Sequence, residues 1–269
     1  MNAGTVPRLA ISQYWNTVEV PSYVRDLCES FRICNPDLLH LLFSKSEAER
    51  FIADRFGQRE AAAFRACAIP SMQSDYFRYC AVFALGGVYA DVDYRCVSPL
   101  HPLVDRPGSG EIFLSPTSRT LKGRDATRIW SGFFAFGEPG HPLLRLALDI
   151  ATANMEERLC ERMWPVGEKV IESVWLTVGP GIFTLLRYLH DWGSFDAFVD
   201  GLEGTGAEPF GDLYCEIVGD YHRVAEAFDG VRVSSFEDLM TWVAEPSEFP
   251  LPYQETDIHW KNATGSIFR

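Results

Sequence analysis

The chain lacks several features that would point to a common class of protein. None of its seven cysteines forms a Cys-x-x-Cys pair, and their odd number does not suit a framework of disulfides. It has no run of lysine and arginine, and its formal net charge is −13, so a nucleic-acid partner is not expected. No stretch approaches the ~20 apolar residues of a membrane span, and the N-terminus has no apolar core of signal-peptide length. We therefore expect a cytoplasmic protein with free thiols.

The composition is that of an ordinary globular protein. Of its 269 residues, 47% are hydrophobic and 23% are charged. The sequence shows no internal repeat, no low-complexity tract and no clear linker. We predict a single domain over residues 1–269.

The first half of the chain alternates between strand-like and helix-like segments, which predicts the α/β class. Buried parallel strands are expected at 9–13 and 38–43, and a short strand at 88–90. Helices are expected from Pro21 to about Cys34, from the capping box at 44–47, and from Pro70 to the Gly86-Gly87 pair. The second half is less regular: strands are expected at 111–114, 132–136 and 257–260, an extended segment at 174–177 and a loop at 201–211.

The most informative stretch is SDYFRYCAVFALGGVYADVD, from Ser74 to Asp93. Asp75 and Arg78 are the only charged side chains between Ala66 and Ala90. Charged groups inside an apolar segment must be paired or serve a function, because burying them alone is costly. The spacing of three places both on one face of a helix. A plain intrahelical ion pair is the simpler interpretation, but the apolar surroundings favour a role in binding.

Two carboxylates, Asp91 and Asp93, follow directly after the short strand. They repel each other unless a cation neutralises them. Mg²⁺ or Mn²⁺ commonly bridges one or two carboxylates and the phosphates of a substrate. The simpler alternative is a pair of solvated carboxylates on the surface. A second alternative is a phosphatase of the haloacid dehalogenase type, which also uses an Asp-x-Asp motif. That phosphatase motif needs a longer apolar strand before it and Thr or Val two places after it, where this chain has Arg95.

The whole pattern resembles the donor-site motif of family 32 glycosyltransferases, whose sugar-binding region contains a DXD motif. The residues that carry the resemblance are Ser74-Asp75-x-x-Arg78-Tyr79 and Leu85-Gly86-Gly87-x-Tyr89-x-Asp91-x-Asp93. The family includes Och1-type mannosyltransferases, α-1,4-galactosyltransferases and capsular polysaccharide enzymes, and large clostridial glucosylating toxins share its core. Weaker similarities are found at 6–15, at Gly140-His141-Pro142, at Gly179-Pro180-Gly181 and at 257–260.

The resemblance implies a GT-A fold, which is a Rossmann-like mixed sheet flanked by helices. It also implies a divalent metal, Mn²⁺ or Mg²⁺, and transfer with retention at the anomeric carbon. Residues 1–100 would form mainly the nucleotide-sugar donor half, and 101–269 the acceptor half with a C-terminal lid. The catalytic group would be Asp75, Arg78, Asp91 and Asp93. Donor binding would involve Ser12, Gln13, Tyr14, Trp15, Ser74, Asp75, Arg78, Tyr89 and Asp91, and the metal ligands would be Asp93, Asp91 and His259.

Individual roles follow from the same resemblance. Asp93 would coordinate the metal directly, whereas Asp91 would bind ribose or sugar and reach the metal through water. Tyr79 fits the core, and Tyr89 fits either packing or ring contact with the donor. His259 could equally be a surface or packed histidine.

We therefore expect a hexosyltransferase that moves a sugar from a UDP- or GDP-sugar to a hydroxyl of a saccharide, lipid-linked or small-metabolite acceptor. Two alternatives remain open. One is an effector-like enzyme that glycosylates a protein. The other is a non-catalytic module that binds nucleotide sugars.

Overall fold

The structure is a computed structural model. It describes residues 9–121, 124–164, 166–168, 170–205, 207–235, 237–239, 244–246, 251–252, 262 and 265–269. The strand predicted at 257–260 lies outside these residues.

The first part of the chain alternates between strands and helices as the sequence predicts. In chain order it contains β1 (Ala10–Tyr14), α1 (Ser22–Cys34), β2 (Leu39–Phe43), α2 (Lys45–Arg55), α3 (Gln58–Ala66), α4 (Pro70–Leu85), β3 (Gly87–Ala90) and β4 (Tyr94–Cys96).

The second part contains a long hairpin followed by a layer of helices. Its elements are α5 (His101–Val104), β5 (Gly110–Leu121), β6 (Arg124–Phe136), α6 (Pro142–Glu157), α7 (Leu159–Met163), α8 (Val170–Thr177), α9 (Gly181–Trp192), α10 (Phe195–Leu202), α11 (Glu208–Val218), α12 (His222–Ala227), β7 (Val231–Ser235) and β8 (Ala244–Pro246).

Two predictions for the second part are wrong. The segment predicted as extended at 174–177 is the end of helix α8, where Val174, Leu176 and Thr177 are buried. β-branched residues favour strands only weakly, and packing within the helical layer overrides that preference. The predicted loop at 201–211 is shorter than expected, because α10 continues to Leu202 and α11 begins at Glu208.

Six described strands form one mixed sheet in the order β2-β1-β3-β6-β5-β7. β1 pairs in parallel with both β2 and β3, β6 runs antiparallel to β3 and β5, and β5 pairs in parallel with β7. β4 and β8 form a separate antiparallel pair. The α/β class and the mixed sheet flanked by helices are thus confirmed.

Local sequence signals set the ends of the helices around the sheet. Ser44 and Glu47 form the predicted capping box at the start of α2. Pro70 occupies the first turn of α4, and Gly86 ends that helix with φ 65°. Gly87 has φ 86°, and a Cβ added there would lie 1.9 Å from the carbonyl oxygen of Ala10. The Gly-Gly pair therefore lets β3 begin directly beside β1.

The sheet has an apolar core on each face. The larger core includes α4, α6 and α9, and the smaller one lies under α1 and α5. The seven cysteines are free, as predicted, and five of them are buried. Among the described residues, no single helix has the length and hydropathy of a membrane span. α8 and α9 pass that test only as a pair, and they meet at an angle of 61°.

Candidate functional site

The site lies where β3 ends against the side of α4. β3 starts one residue after α4 is capped, so it runs back along the helix that carries Asp75 and Arg78. The chain turns immediately after β3: the Asp91 N–H donates to the Gly132 carbonyl at 2.7 Å, and the Tyr94 N–H donates to the Asp91 carbonyl at 3.3 Å. The position of this turn is what brings the Asp-Val-Asp segment to the helix.

Arg78 joins the two halves of the motif. Its Nη2 lies 2.6 Å from Asp75 Oδ1 and 3.0 Å from Asp91 Oδ1. Arg78 is 4% exposed and Asp75 is 8% exposed, whereas 29% of the Asp91 side chain is exposed. Sequence spacing predicts the first contact but not the second. The three charged groups form a chain that leads from the interior to the surface.

Three side chains hold one oxygen of Asp91, and we call Ser74, Arg78 and Tyr89 the Asp91 cradle. The Tyr89 hydroxyl donates to Asp91 Oδ1 at 3.1 Å, and Ser74 Oγ lies 3.4 Å from the same oxygen. Ser74 Oγ and Tyr89 Oη lie 2.5 Å apart. The Arg78 guanidinium carbon lies 4.8 Å from the centre of the Tyr89 ring, within the range of a cation–π contact. The same tyrosine therefore contacts all the other members of this group.

Burial dominates the protonation equilibria of the site. Burial raises the pKa of Asp75 to about 7; Arg78 opposes this shift and Asp91 adds to it. Burial also raises the pKa of Asp91, against the effects of Arg78, Tyr89 and Ser74. It raises the pKa of Tyr89 well above its ordinary value, so this hydroxyl keeps its proton and acts as a donor. The charge of Arg78 is disfavoured by burial, but Asp75 and Asp91 outweigh that effect and raise its pKa.

Asp93 is half-buried in the turn after β3. Carboxylate oxygens are the ligands that Mg²⁺ and related hard cations prefer, and Asp91 and Asp93 supply them in one short turn. Within the described ranges, no group of three or more His, Cys, Asp or Glu side chains could hold a metal ion. Asp91 and Asp93 thus supply oxygen ligands of the kind that such a cation takes, and metal binding at this turn stays a prediction.

Strand β1 leads toward the same turn. Ser12 and Gln13 are fully buried, and the Tyr14 hydroxyl donates to Gln73 at 2.8 Å. Trp15 is 8% exposed and belongs to the same small apolar cluster as Val92, the residue between the two carboxylates. Of the four residues at 12–15 predicted to bind the donor, Gln13 and Trp15 are thus placed beside the Asp-Val-Asp turn. The donor-binding roles of all four stay predictions.

One contact near the turn was missed at the sequence level. His40 Nε2 lies 2.8 Å from Gln13 Oε1, and Gln13 Nε2 lies 3.5 Å from the Asp91 carbonyl. The signal was present, because His40 is the single polar residue in the apolar run of β2 and that strand was predicted to lie parallel to β1. His259, the predicted third metal ligand, lies outside the described residues.

Comparison with known proteins finds a family match for the part of the chain that contains this site. Residues 21–109 match the model of the family described as "Glycosyltransferase sugar-binding region containing DXD motif". The resemblance to the DXD glycosyltransferases is confirmed. The matched segment includes Asp75, Arg78, Asp91 and Asp93, and so it contains the ion-paired chain and both carboxylates of the turn.

The chain is also similar in sequence to two yeast mannosyltransferases. The chain is 25% identical over 198 residues to the initiation-specific alpha-1,6-mannosyltransferase of Schizosaccharomyces pombe. The aligned region covers 66% of this chain and 47% of that protein. It is 24% identical over 180 residues to the Candida albicans protein of the same name, covering 58% and 46%. The chain thus spans about half the length of these relatives.

A solved structure, the PaToxG glycosyltransferase, superposes on 83% of this chain and 84% of its own. The TM-score is 0.46 and the sequence identity 15%.

Proposed function

We propose that the chain is a metal-dependent glycosyltransferase that moves a hexose from a nucleotide-diphosphate sugar to an acceptor hydroxyl. One observation carries the proposal: the buried chain Asp75–Arg78–Asp91 ends at the carboxylate turn that lies within the matched sugar-binding region. Burying Asp75 and Arg78 next to the partly exposed Asp91 is costly, and a site that binds a polar, charged ligand gives a reason for that cost.

The residues around the turn divide the work of binding. Asp91 and Asp93 would hold Mn²⁺ or Mg²⁺, which when bound neutralises charge on the departing diphosphate. Arg78 and Asp75 would orient the donor sugar, since a guanidinium fork donates to hydroxyls and a carboxylate accepts from them. Trp15 would contact the base and ribose beside Val92.

Retention at the anomeric carbon is the stereochemical part of the proposal. Asp75 and Asp91 are both ion-paired with Arg78, which makes their carboxylates poor nucleophiles. Same-face attack by the acceptor hydroxyl, with the donor held in place by Arg78, is therefore the route that we propose.

The relatives suggest which donor to test first. Both are named mannosyltransferases, so a nucleotide-bound mannose is the first candidate for the transferred sugar. The acceptor would be a saccharide, a lipid-linked precursor or a small metabolite, and the reaction would take place in the cytoplasm.

The experiment measures sugar release and transfer from UDP- and GDP-sugars, with and without Mn²⁺, for the wild type and for Asp93→Asn. Loss of one charged metal ligand should lower the rate about 1,000-fold, which corresponds to roughly 4 kcal/mol of transition-state stabilisation. The matched control is Asp191→Asn, which neutralises a surface aspartate paired with Arg187 on α9 and should leave the rate unchanged. A wild type that binds nucleotide sugars with Mn²⁺ but turns none over would indicate the non-catalytic module. Equal rates for wild type and Asp93→Asn would overturn the site assignment.

A further inference from the structure

Tyr89 is fully buried, although its position in the sequence fits either packing or contact with the donor. Its ring stacks on Phe134, with the ring centres 5.9 Å apart, and the Arg78 guanidinium lies over it. A side chain with no exposed surface has no face to offer to a ligand. Any effect of Tyr89 on donor binding must therefore act through its neighbours.

Those neighbours are two of the groups assigned to the ligand. The Tyr89 hydroxyl donates to Asp91 Oδ1, and the Ser74 hydroxyl lies close enough to donate to Tyr89 in turn. The hydrogen bonds therefore run in one direction: Ser74 donates to Tyr89, and Tyr89 donates to Asp91. Hydrogen bonds to an ionised acceptor are about twice as strong as neutral ones, so Asp91 is held firmly by its Oδ1.

We infer that Tyr89 is a positioning residue of the donor site. Its hydroxyl fixes Oδ1 of Asp91 and its ring supports the guanidinium of Arg78, so Asp91 presents its other oxygen to the ligand in one orientation. Because Oδ1 already accepts from Arg78 and Tyr89, Asp91 offers a cation only its other oxygen. This inference rests on the proposed function and deepens it, since it says how the two carboxylates come to differ.

The chain offers a closely matched control in Tyr79. Tyr79 is also fully buried, also stacks on Phe134, and donates its hydroxyl to the Gly179 carbonyl at 3.0 Å. The two tyrosines lie in the same core and each donates its hydroxyl to one oxygen, and Tyr89 also accepts from Ser74. They differ in the acceptor, which is Asp91 for Tyr89 and a backbone carbonyl for Tyr79.

The test compares Tyr89→Phe with Tyr79→Phe. Binding is measured by calorimetry with Mn²⁺ alone and with Mn²⁺ plus UDP or GDP, and melting temperature is measured without ligand. Both variants should lose thermal stability, and Tyr89→Phe should lose at least as much, because it removes two hydrogen bonds and Tyr79→Phe removes one. Only Tyr89→Phe should weaken nucleotide binding, by about 10-fold, whereas Tyr79→Phe should stay within about twofold.

Two further variants separate the contribution of the Tyr89 hydroxyl from that of its ring. Ser74→Ala removes the donor to the Tyr89 hydroxyl and should weaken binding about threefold, in the same direction as Tyr89→Phe. Tyr89→Leu also removes the ring beneath Arg78 and should weaken binding more than Tyr89→Phe does. These variants keep the test valid if one of them fails to fold.

The outcomes distinguish this inference from the proposed function. If the wild type binds neither UDP nor GDP with Mn²⁺, the proposed function fails and the inference fails with it. If the wild type binds one of them and Tyr89→Phe binds it equally well, the inference alone is overturned. Equal weakening by Tyr89→Phe and Tyr79→Phe would mean that both hydroxyls only stabilise the core.

Discussion

Buried polar groups are organised differently at the α4–β3 junction and in the layer of helices α6 to α9. At the junction they are charged, and the chain from Asp75 through Arg78 ends at a carboxylate that is partly exposed. In the helical layer they are neutral: Asn154 donates to the carbonyls of Leu176 and Thr177, and Tyr76 of α4 bonds to Thr152. The pair of Arg162 with Glu157 in that layer lies at the surface.

The difference between charged and neutral buried groups indicates which part of this fold binds a ligand. Neutral polar contacts of this kind join neighbouring helices and need no ligand. A buried charge is expensive even when paired, and replacing such a pair by apolar residues is often neutral or stabilising. Its presence at the end of β3 is therefore explained better by binding than by stability.

The largest effect should come from breaking the charged chain. Arg78→Met leaves Asp75 buried without its cation, which should lower the free energy of unfolding by about 3–5 kcal/mol in urea titrations. Arg162→Met, the control in the helical layer, removes an exposed pair and should change it by less than about 0.5 kcal/mol. Adding Asp75→Asn to Arg78→Met should restore part of the loss. If the single and double variants are equally unstable, charge burial is not the cause.

The sequence predicts most of what positions this site. The parallel strands β1 and β2, the capping box at Ser44 and the Gly86-Gly87 stop are all local signals, and the structure contains each of them. The shared face of Asp75 and Arg78 follows from helical spacing alone. These features depend on residues that are near each other in the chain, which is why they can be read without a structure.

The contacts that sequence reasoning missed depend on tertiary packing. The ion pair between Arg78 and Asp91 exists because β3 runs back along α4. No local sequence pattern predicts how closely these two side chains approach. The hydrogen bond between His40 and Gln13 depends in the same way on the pairing of β1 with β2. α8 was assigned wrongly because the β-branched residues at its end suit a strand locally, whereas the helical layer buries them in a helix.

A smaller effect should come from the neutral network. Asn154 is fully buried, and Asn154→Ala removes its bonds to the Leu176 and Thr177 carbonyls and leaves a cavity. We expect a loss of about 2–3 kcal/mol in unfolding free energy, with the affinity for Mn²⁺ and nucleotide unchanged. Asn154→Leu fills the cavity without restoring the bonds, so it separates the two contributions. A change in nucleotide affinity would show that the helical layer also shapes the donor site, and the contrast drawn above would fail.

The smallest effect should be a dependence of stability on pH that arises away from the site. His141 Nδ1 accepts a hydrogen bond from the Leu143 N–H at 3.2 Å at the start of α6, and its ring packs on Phe136. Burial lowers the pKa of His141 to about 4, so the folded protein favours the neutral ring. The stabilising contribution is complete above the ordinary pKa of about 6.5 and is lost as pH falls through 4.

Acidification from pH 7 to pH 4 should thus lower the unfolding free energy through His141 by about 1–2 kcal/mol. His141→Asn keeps an N-terminal cap that does not titrate, and so it should flatten this part of the profile. The measurement is urea unfolding of the wild type and of His141→Asn at a series of pH values. An identical slope for the wild type and His141→Asn would place the acid sensitivity elsewhere. The ion-paired carboxylates of the α4–β3 junction would then be the next groups to substitute, because their protonation equilibria are also shifted by burial.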